Sequence, residues 1–275
     1  MGSGFSEPET NFPNWMSTIS DQTSVAHLTV PGTHNTMAFY GGSLIACQYW
    51  ELYPQLLGGI RFLDIRCRHF RNGLHIHHGV KYQYADIDTV LRNSLRFLTD
   101  YPTETIFMRI KEEYETVENN RSYEETLKVS IQRYIENGRI SSSFSSIPKL
   151  GDIRGKIVIL QNFPGSAYGL NYNGGLFSIE DHWYVPTILY SHIEEKWQHV
   201  KRQLDTSGAD EGSSVIYVTF TSGASSGAYP NAVADRINPQ LENYLEEKKP
   251  KKRFGFISID FPSSALIGKI IQCNH

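Results

Sequence analysis

The sequence predicts a single-domain α/β barrel with polar functional residues at the carboxyl ends of its strands. Apolar strand-like and amphipathic helix-like segments alternate along the chain without a linker-like break. A length of 275 residues with 40% hydrophobic content suits one large core. Charged or histidine residues repeatedly follow the apolar strands, and such ends converge on one face of a barrel. We therefore treat residues 1–275 as one domain, with 1–14 as a polar lead-in.

The first half of the chain contains four predicted strands and two predicted helices. The first strand runs into a Pro-Gly turn that presents His34, and a Gly-Gly break opens an apolar and aromatic segment at 41–57. The helices are recognised by apolar residues at helical spacing. The strands are predicted at 27–31, 59–66, 74–79 and 104–111, and the helices at 86–99 and 122–136.

The second half repeats this alternation. A Gly-, Tyr- and Asn-rich loop reaches about residue 176, and a loop of small residues covers 221–232. The basic run at 248–253 is interpreted as a solvated turn. Strands are predicted at 156–161, 215–220 and 254–260, and helices at 190–205 and 237–247.

Composition excludes several classes of protein. A formal net charge of −3 and a pI near 6.4 do not favour binding to nucleic acid. The three cysteines, Cys47, Cys67 and Cys273, are widely spaced and form no CxxC pair, which argues against a disulfide framework and a zinc site. No apolar run reaches the roughly 18 residues needed to span a bilayer.

The residues at the predicted strand ends indicate acid–base chemistry on a phosphodiester. Two histidines with a carboxylate partner suit a general base and a general acid. Arg66 and Lys111 supply fixed positive charge for a phosphate. A metal site built from His, Asn and Asp is the competing interpretation, but the two cations would repel a metal ion, which favours a metal-free site. The strand-end residues are His34, Asn35, Asp64, Arg66, His78, Lys111 and Asp260.

Several motifs, in order over nearly the whole chain, resemble the X domain of phosphatidylinositol-specific phospholipase C. The resemblance is closest to the small bacterial enzymes. The segments that carry it are Pro31-Gly32-Thr33-His34, Gly59-Ile60-Arg61-Phe62-Leu63-Asp64-Ile65-Arg66, His77-His78-Gly79, Pro102-Thr103-Glu104-Thr105-Ile106, Lys111-Glu112-Glu113-Tyr114, Gly151-Asp152-Ile153-Arg154-Gly155-Lys156-Ile157-Val158 and Ile259-Asp260.

This resemblance implies an irregular TIM-type barrel that cleaves phosphatidylinositol into diacylglycerol and inositol 1,2-cyclic phosphate without a cofactor. His34 matches the general base and Asp260 the carboxylate that orients it. His78 matches the general acid, and Asp64 its supporting carboxylate. Arg66 matches the arginine that replaces a catalytic metal beside the phosphate, so calcium independence is expected.

The head-group positions both follow and depart from the family pattern. Lys111 and Asp181 match contacts to inositol hydroxyls. Asn35 stands where the bacterial enzymes usually carry Asp, and Asn162 where an inositol-contacting Arg is expected. Trp183 replaces the Tyr that stacks under the inositol ring. These five residues are the predicted substrate-binding set.

The expected partner is phosphatidylinositol in membranes or micelles, reached by peripheral contact with the lipid surface. Trp50 and Tyr229 are candidate membrane contacts, whereas His75 and His77 are interpreted as structural. A monomer is expected. The resemblance favours secretion, although the chain has no signal-peptide h-region. The alternative is a cytoplasmic protein that is myristoylated at the pattern in Met1–Ser6. The same six residues are also consistent with an expression scar, or with the first residues of a mature protein after signal removal.

Two rival functions stay open at this point. A non-catalytic inositol-lipid binding module is motivated by Asn35 and Asn162, which weaken the expected polar set. A metal-dependent glycerophosphodiester phosphodiesterase on a similar barrel is opposed by Arg66 and Lys111. Sequence alone does not decide whether glycosyl-phosphatidylinositol anchors or phosphorylated inositides are accepted.

Overall fold

The computed structural model describes residues 5–144, 146–165, 168–210, 212, 214–248 and 253–275. Short 3₁₀ turns at Trp15–Thr18 and Val25–His27 precede the first strand. The strands are β1 (Thr29–Thr33), β2 (Phe62–Phe70), β3 (Gly73–His78), β4 (Lys81–Asp86), β5 (Ile106–Glu112), β6 (Ile140–Ser141), β7 (Ile157–Asn162), β8 (Leu170–Asn171), β9 (Phe177–Glu180), β10 (Ile216–Phe220) and β11 (Gly255–Ile259). The helices are α1 (Leu52–Leu57), α2 (Ile87–Asp100), α3 (Tyr123–Glu136), α4 (Leu150–Ile153), α5 (Tyr190–Ala209), α6 (Pro230–Glu247) and α7 (Ser264–Gln272).

The strands form a curled sheet in the order β6-β7-β5-β2-β1-β11-β10-β9. All neighbours along this path pair in parallel, as crossover helices require. In the described residues no ladder joins β9 to β6 or β8, so the barrel is open on that side. The predicted α/β barrel is confirmed, in an incompletely closed form.

The predicted strand at 74–79 is not a barrel strand. It forms β3, which pairs antiparallel with the outer half of β2 and with β4, a strand that the sequence pattern did not indicate. Arg71 and Asn72 connect β2 to β3 with φ values of 50° and 56°, the left-handed conformation of a tight two-residue hairpin turn. This three-stranded extension rises from the carboxyl half of β2 and places the end of β3 beside the barrel mouth.

Phenylalanine side chains fill the amino-terminal end of the barrel interior. The ring of Phe256 lies 4.7 Å from Phe107 and 5.5 Å from Phe62, measured between centroids. All three are fully buried. Gly32 faces the same layer, and a Cβ there would lie 2.5 Å from a ring atom of Phe62, so only glycine fits. This apolar plug leaves the carboxyl end for polar groups.

The interior changes from apolar to charged along β2 and β5. Side chains alternate between the two faces of a strand, so Asp64 and Arg66 share the inner face with Phe62. The parallel register places Arg109 beside Asp64 and Lys111 beside Arg66. Because every second side chain of a strand faces inward, these charged residues line the interior from the middle of the barrel to its mouth.

Two helix boundaries differ from the sequence predictions by four residues or more, and the C-terminal helix was not predicted. Helix α6 begins at Pro230 rather than at 237, because a proline is favoured in the first helical turn, where its missing N–H is not needed. Helix α5 continues to Ala209. Helix α7 was not predicted; Ser263 caps it by accepting a hydrogen bond from the backbone N–H of Leu266.

A buried ion pair joins the amino-terminal ends of β2 and β5. Arg61 and Glu104 are both fully buried, and Nε and Nη2 of Arg61 lie 3.0 and 2.8 Å from Glu104 Oε2. The guanidinium also donates to the carbonyls of Leu56 and Pro13 and lies 4.4 Å from the centre of the Phe97 ring. Its donors are thus matched to acceptors from three separate segments.

Two sequence expectations fall largely outside the described residues. They are the solvated turn at 248–253, of which 249–252 are not described, and the myristoylation pattern, of which 1–4 are not described. Among the described helices, none combines the length and apolar character required to cross a bilayer.

Candidate active site

A cavity of about 380 Å³ opens at the carboxyl ends of the barrel strands. This volume is in the range typical of small-molecule sites. Seven of the ten predicted catalytic and substrate-binding residues line it, and the other three lie around it. The lining residues are His34, Arg66, His78, Lys111, Asp181, Trp183, Ser222, Gly223, Ala224, Pro230 and Asp260.

His34 and Asp260 form a hydrogen-bonded pair on one wall of the cavity. His34 follows β1, Asp260 follows β11, and the parallel pairing of these strands brings them together. Nδ1 of His34 lies 2.8 Å from Oδ1 of Asp260. Because a carboxylate only accepts, Nδ1 carries the hydrogen and Nε2 is left as the basic nitrogen. Gln48, which the sequence did not single out, holds this wall by donating to the carbonyls of His34 and Ile259.

Asn35 sits beneath the imidazole rather than in the cavity lining. Its φ of 42° is left-handed, a conformation that asparagine tolerates better than most residues. Nδ2 of Asn35 lies 3.3 Å from Nε2 of His34 and donates to it in the tautomer that carries its hydrogen on Nδ1. Its backbone N–H donates to Oδ2 of Asp64 at 3.1 Å. Asn35 thus links the His34 wall to the charged floor.

His78 faces His34 across the cavity, with ring centroids 6.4 Å apart. Nδ1 of His78 donates to the carbonyl of Ile45 at 2.8 Å, which leaves Nε2 for a ligand. Burial, and then the proximity of His34, lower the pKa of His78 below its usual value. The expectation that Asp64 supports His78 directly is not met, because the Asp64 oxygens are taken up by Asn35 and by two arginines.

Arg66 and Asp64 form the charged floor. Nε and Nη2 of Arg66 lie 3.0 and 2.9 Å from Oδ2 of Asp64, and Nη1 lies 3.8 Å from Oε2 of Glu113. Nζ of Lys111 lies 3.4 Å from the same Glu113 oxygen. Burial raises the pKa of Glu113, but Arg66 and Lys111 outweigh it and lower that pKa overall. Two carboxylates therefore hold the cations in place.

Arg109 is a second arginine on Asp64 that sequence reasoning missed. Its Nη1 lies 3.0 Å from Oδ1 of Asp64, while Nε and Nη2 donate to Oδ1 of Asn162 at 2.9 and 2.7 Å. Burial would raise the pKa of Asp64, but Arg66 and Arg109 hold it well below its usual range. Asn162 thus orients Arg109. The sequence analysis placed Asn162 among the head-group contacts, but it is absent from the cavity lining.

Two of the missed residues had a signal in the sequence. Arg109 lies two positions before Lys111 and so shares its strand face. Glu113 lies two positions after Lys111, and its Oε1 also accepts from the backbone N–H of Gly79. Reading the inner face of β5 continuously, rather than only its end, would have identified both.

Asp181 and Trp183 complete the cavity from the segment that follows β9. Both side chains are exposed, and that of Trp183 is 62% accessible. The carbonyl of Trp183 accepts from the backbone N–H of Ala224, which ties this segment to the loop after β10. An exposed indole at the rim is available to stack on a ring-shaped ligand.

The predicted membrane contacts differ in exposure. Trp50 is half-buried and packs against the main core, while its neighbour Tyr49 is 55% exposed. Tyr229 is 41% exposed and precedes the cavity residue Pro230. The segment after Trp183 also exposes large apolar groups; Leu189 and Tyr190 are 63% and 81% accessible. The membrane role of Trp50 and Tyr229 stays a prediction.

His75 and His77 lie outside the cavity lining, in agreement with a structural role. The His75 ring lies edge-on to Phe70 and Tyr82, with centroids 6.1 Å away in both cases. His77 is buried, and its Nδ1 lies 3.3 Å from the carbonyl of Gly79.

The chain is similar to known proteins over most of its length. The family model described as "Phosphatidylinositol-specific phospholipase C, X domain" matches residues 23–163, just over half of the chain. A 1-phosphatidylinositol phosphodiesterase from Listeria monocytogenes is 28% identical, with 94% of this chain and 84% of the relative covered. One from Staphylococcus aureus is 26% identical, with 90% and 88% covered.

Solved structures show the same fold. The phosphatidylinositol-specific phospholipase C from Listeria monocytogenes superposes with a TM-score of 0.80 at 28% identity, covering 97% of this chain and 99% of that one. A Staphylococcus aureus structure of the same name gives a TM-score of 0.85 at 24% identity, covering 96% and 97%. The sequence match and the barrel together establish that the chain belongs to the phosphatidylinositol-specific phospholipase C X-domain family.

Proposed function

We propose that this protein is an enzyme that cleaves phosphatidylinositol into diacylglycerol and inositol 1,2-cyclic phosphate. The observation that carries the proposal is one cavity with His34 and His78 on opposite sides and the Arg66 guanidinium in its lining. The two histidines are the acid and base that an intramolecular displacement at phosphorus needs. Membership of the family and the names of the relatives support the choice of substrate.

His34 and His78 move the protons in this mechanism. Nε2 of His34, oriented by Asp260, takes the proton of the inositol 2-hydroxyl, and that oxygen forms the new bond to phosphorus. The bond from phosphorus to the glycerol oxygen breaks, and Nε2–H of His78 gives its proton to the leaving oxygen. The bound phosphodiester anion favours the protonated form of His78, which counteracts the lowered pKa of the empty site. One proton is taken up and one is given back.

Arg66 stabilises the charge that develops on the phosphate oxygens. Its guanidinium is held by Asp64 from behind, so its orientation is set before the substrate arrives. The same groups argue against a calcium ion, since Arg66 and Lys111 would lie within a few ångströms of it. We therefore propose a metal-independent reaction.

Exposed apolar side chains near the cavity support contact with a lipid surface. Tyr229 precedes the lining residue Pro230, and Leu189 and Tyr190 are exposed farther along the segment that follows Trp183. Aromatic and aliphatic side chains of this kind favour the boundary between water and lipid. We propose that this rim touches the membrane while the head group enters the cavity.

Phosphorus NMR of phosphatidylinositol in mixed micelles, with and without EDTA, tests the function. The expected result is a cyclic inositol phosphate signal of equal intensity in both samples. Loss of the signal in EDTA with recovery on adding calcium would replace the proposal by a metal-dependent phosphodiesterase. Vesicle binding without product in either sample would replace it by a binding module.

Replacement of Arg66 by lysine should lower kcat by about 10²–10³-fold, because lysine keeps the charge but loses the forked geometry at the phosphate. Arg68→Lys, two residues along β2 and outside the cavity lining, is the matched control and should change kcat less than about twofold. Initial rates on phosphatidylinositol micelles provide the measurement. Equal rates for the two variants would contradict the role of Arg66.

A further inference from the structure

The segment that carries Asp181 and Trp183 has a second, outward face. Asp181 and Trp183 line the cavity, and the intervening His182 lies against α5 instead. Glu180, the last residue of β9, accepts a hydrogen bond from the backbone N–H of His182 through Oε1 at 2.9 Å. The outer side of this segment therefore presents a histidine and a carboxylate to the helix.

Helix α5 faces His182 and Glu180 with Glu195 and His199. These two residues are four positions apart and therefore share a helix face. The rings of His182 and His199 are parallel within 2°, with centroids 4.1 Å apart. Nε2 of His182 lies 4.0 Å from Oε1 of Glu195, and Nδ1 of His199 lies 3.7 Å from Oε1 of Glu180. One donor atom from each of His182, Glu195 and His199 lies within 4.8 Å of the others.

This arrangement matches the ligands of a transition-metal cation. Two imidazole nitrogens and carboxylate oxygens are the donors that zinc takes in four-coordinate sites. Two carboxylates balance a double positive charge, and the side chains of His182 and His199 remain 33% and 29% exposed to solvent.

The ammonium of Lys196, on the same helix, is hydrogen-bonded to two backbone carbonyls. Its Nζ donates to the carbonyls of His182 and Phe220 at 2.9 and 2.7 Å. It thereby anchors the backbone of the segment at His182.

We propose that His182, Glu195 and His199, with Glu180 beside them, bind one divalent transition-metal ion of the zinc class. The ion fastens the segment that carries Asp181 and Trp183 to α5. Ligand bonds of about 2.0–2.2 Å place the donor atoms of a tetrahedral site about 3.3–3.6 Å apart, closer than the present limit of 4.8 Å. Because each imidazole binds a metal in its own ring plane, His182 and His199 must also turn out of their parallel stack to reach one ion. This site is separate from the catalytic residues and does not depend on the proposed reaction.

A second cluster, His34, Cys47 and Asp260, has donor atoms equally close together. It is the weaker candidate because Nδ1 of His34 is already bonded to Asp260 and the Arg66 cation lines the same cavity. It supplies a control, since Cys47→Ser removes a zinc ligand there and leaves the α5 cluster intact.

Isothermal titration of the metal-stripped full chain with zinc chloride tests the proposal. We expect one ion per chain for the wild type and for two controls, Cys47→Ser and His192→Ala. His192 is a histidine on the same helix whose ring Nδ1 contacts Thr187. We expect His182→Ala/His199→Ala, and the nearly isosteric Glu195→Gln, to raise the zinc Kd by about tenfold or more.

Two further measurements guard against misfolding. Zinc should raise the Tm of the wild type and of His192→Ala, but not that of the double variant, whose metal-free Tm shows whether it is folded. Cobalt(II) should give the visible absorption of a four-coordinate site only where the cluster is intact. Absence of zinc uptake by the wild type, unchanged affinity in the double variant, or loss of uptake in Cys47→Ser would overturn the proposal.

Discussion

Alanine at position 34 should lower kcat on phosphatidylinositol by about 10²–10⁴-fold, the usual contribution of a positioned general base. The change removes the nitrogen that we propose accepts the 2-hydroxyl proton, and it leaves Arg66 and Lys111 in the cavity. Binding of the head group should therefore change less than the rate. The measurement is initial release of inositol cyclic phosphate from micelles, with KM determined separately.

The matched control is His75→Ala, a histidine on β3 outside the cavity lining. It should retain kcat within about twofold. Asp260→Asn should lower kcat substantially, because an amide no longer fixes the tautomer of His34. Combining it with His34→Ala should cost little more than His34→Ala alone, since the pair acts as a unit. Full activity of His34→Ala or of Asp260→Asn would contradict the assignment of His34 as the general base.

Replacement of Glu104 by glutamine should destabilise the fold by about 3–5 kcal/mol, because it leaves the Arg61 charge buried without a counter-charge. Both side chains are fully inaccessible to water, so no solvent can compensate the loss. The residue lies at the opposite end of the barrel from the cavity. The free energy of unfolding by denaturant, with the slope checked for two-state behaviour, provides the measurement.

Glu118→Gln is the control for this pair. Glu118 forms an ion pair of 2.6 Å with Arg71, but the two side chains are 54% and 66% exposed. Exposed pairs contribute about 0–1 kcal/mol, so this variant should unfold almost like the wild type. A loss of less than about 1 kcal/mol in Glu104→Gln would show that the interior reorganises around Arg61.

Secondary structure followed from local pattern where the segment is long and periodic. Helix α2 was predicted at 86–99 and lies at Ile87–Asp100, with Asp86 as its cap, because its apolar residues recur at helical spacing. Helix α7 was missed, although Ser263 is a cap signal, because its apolar run directly follows the last strand. The start of α6 was misplaced because Pro230 was interpreted as part of a loop.

Strand pairing could not be predicted from the same patterns. The segment that became β3 has apolar residues and polar ends like the barrel strands, yet it pairs antiparallel with β2 and leaves the barrel. Whether a strand joins a barrel or a hairpin depends on partners distant in the chain, and single-strand composition does not specify them. The Asn72-Gly73 dipeptide was the local signal for the hairpin.

What the sequence alone determined is which side chains line the cavity. His34 and Asp260 directly follow β1 and β11, and Arg66 and Lys111 lie side by side on β2 and β5, so the parallel strands bring these four residues together. His78 ends β3, an antiparallel strand outside the barrel path, and its place in the cavity followed from the resemblance rather than from the strand rule. Only the tertiary structure decided which charged and polar side chains are hydrogen-bonded to one another. Asp64 binds two arginines rather than His78, and Asn162 binds Arg109 rather than facing the cavity. Those contacts join β2, β5 and β7, and their geometry depends on the register between strands, which no local pattern encodes.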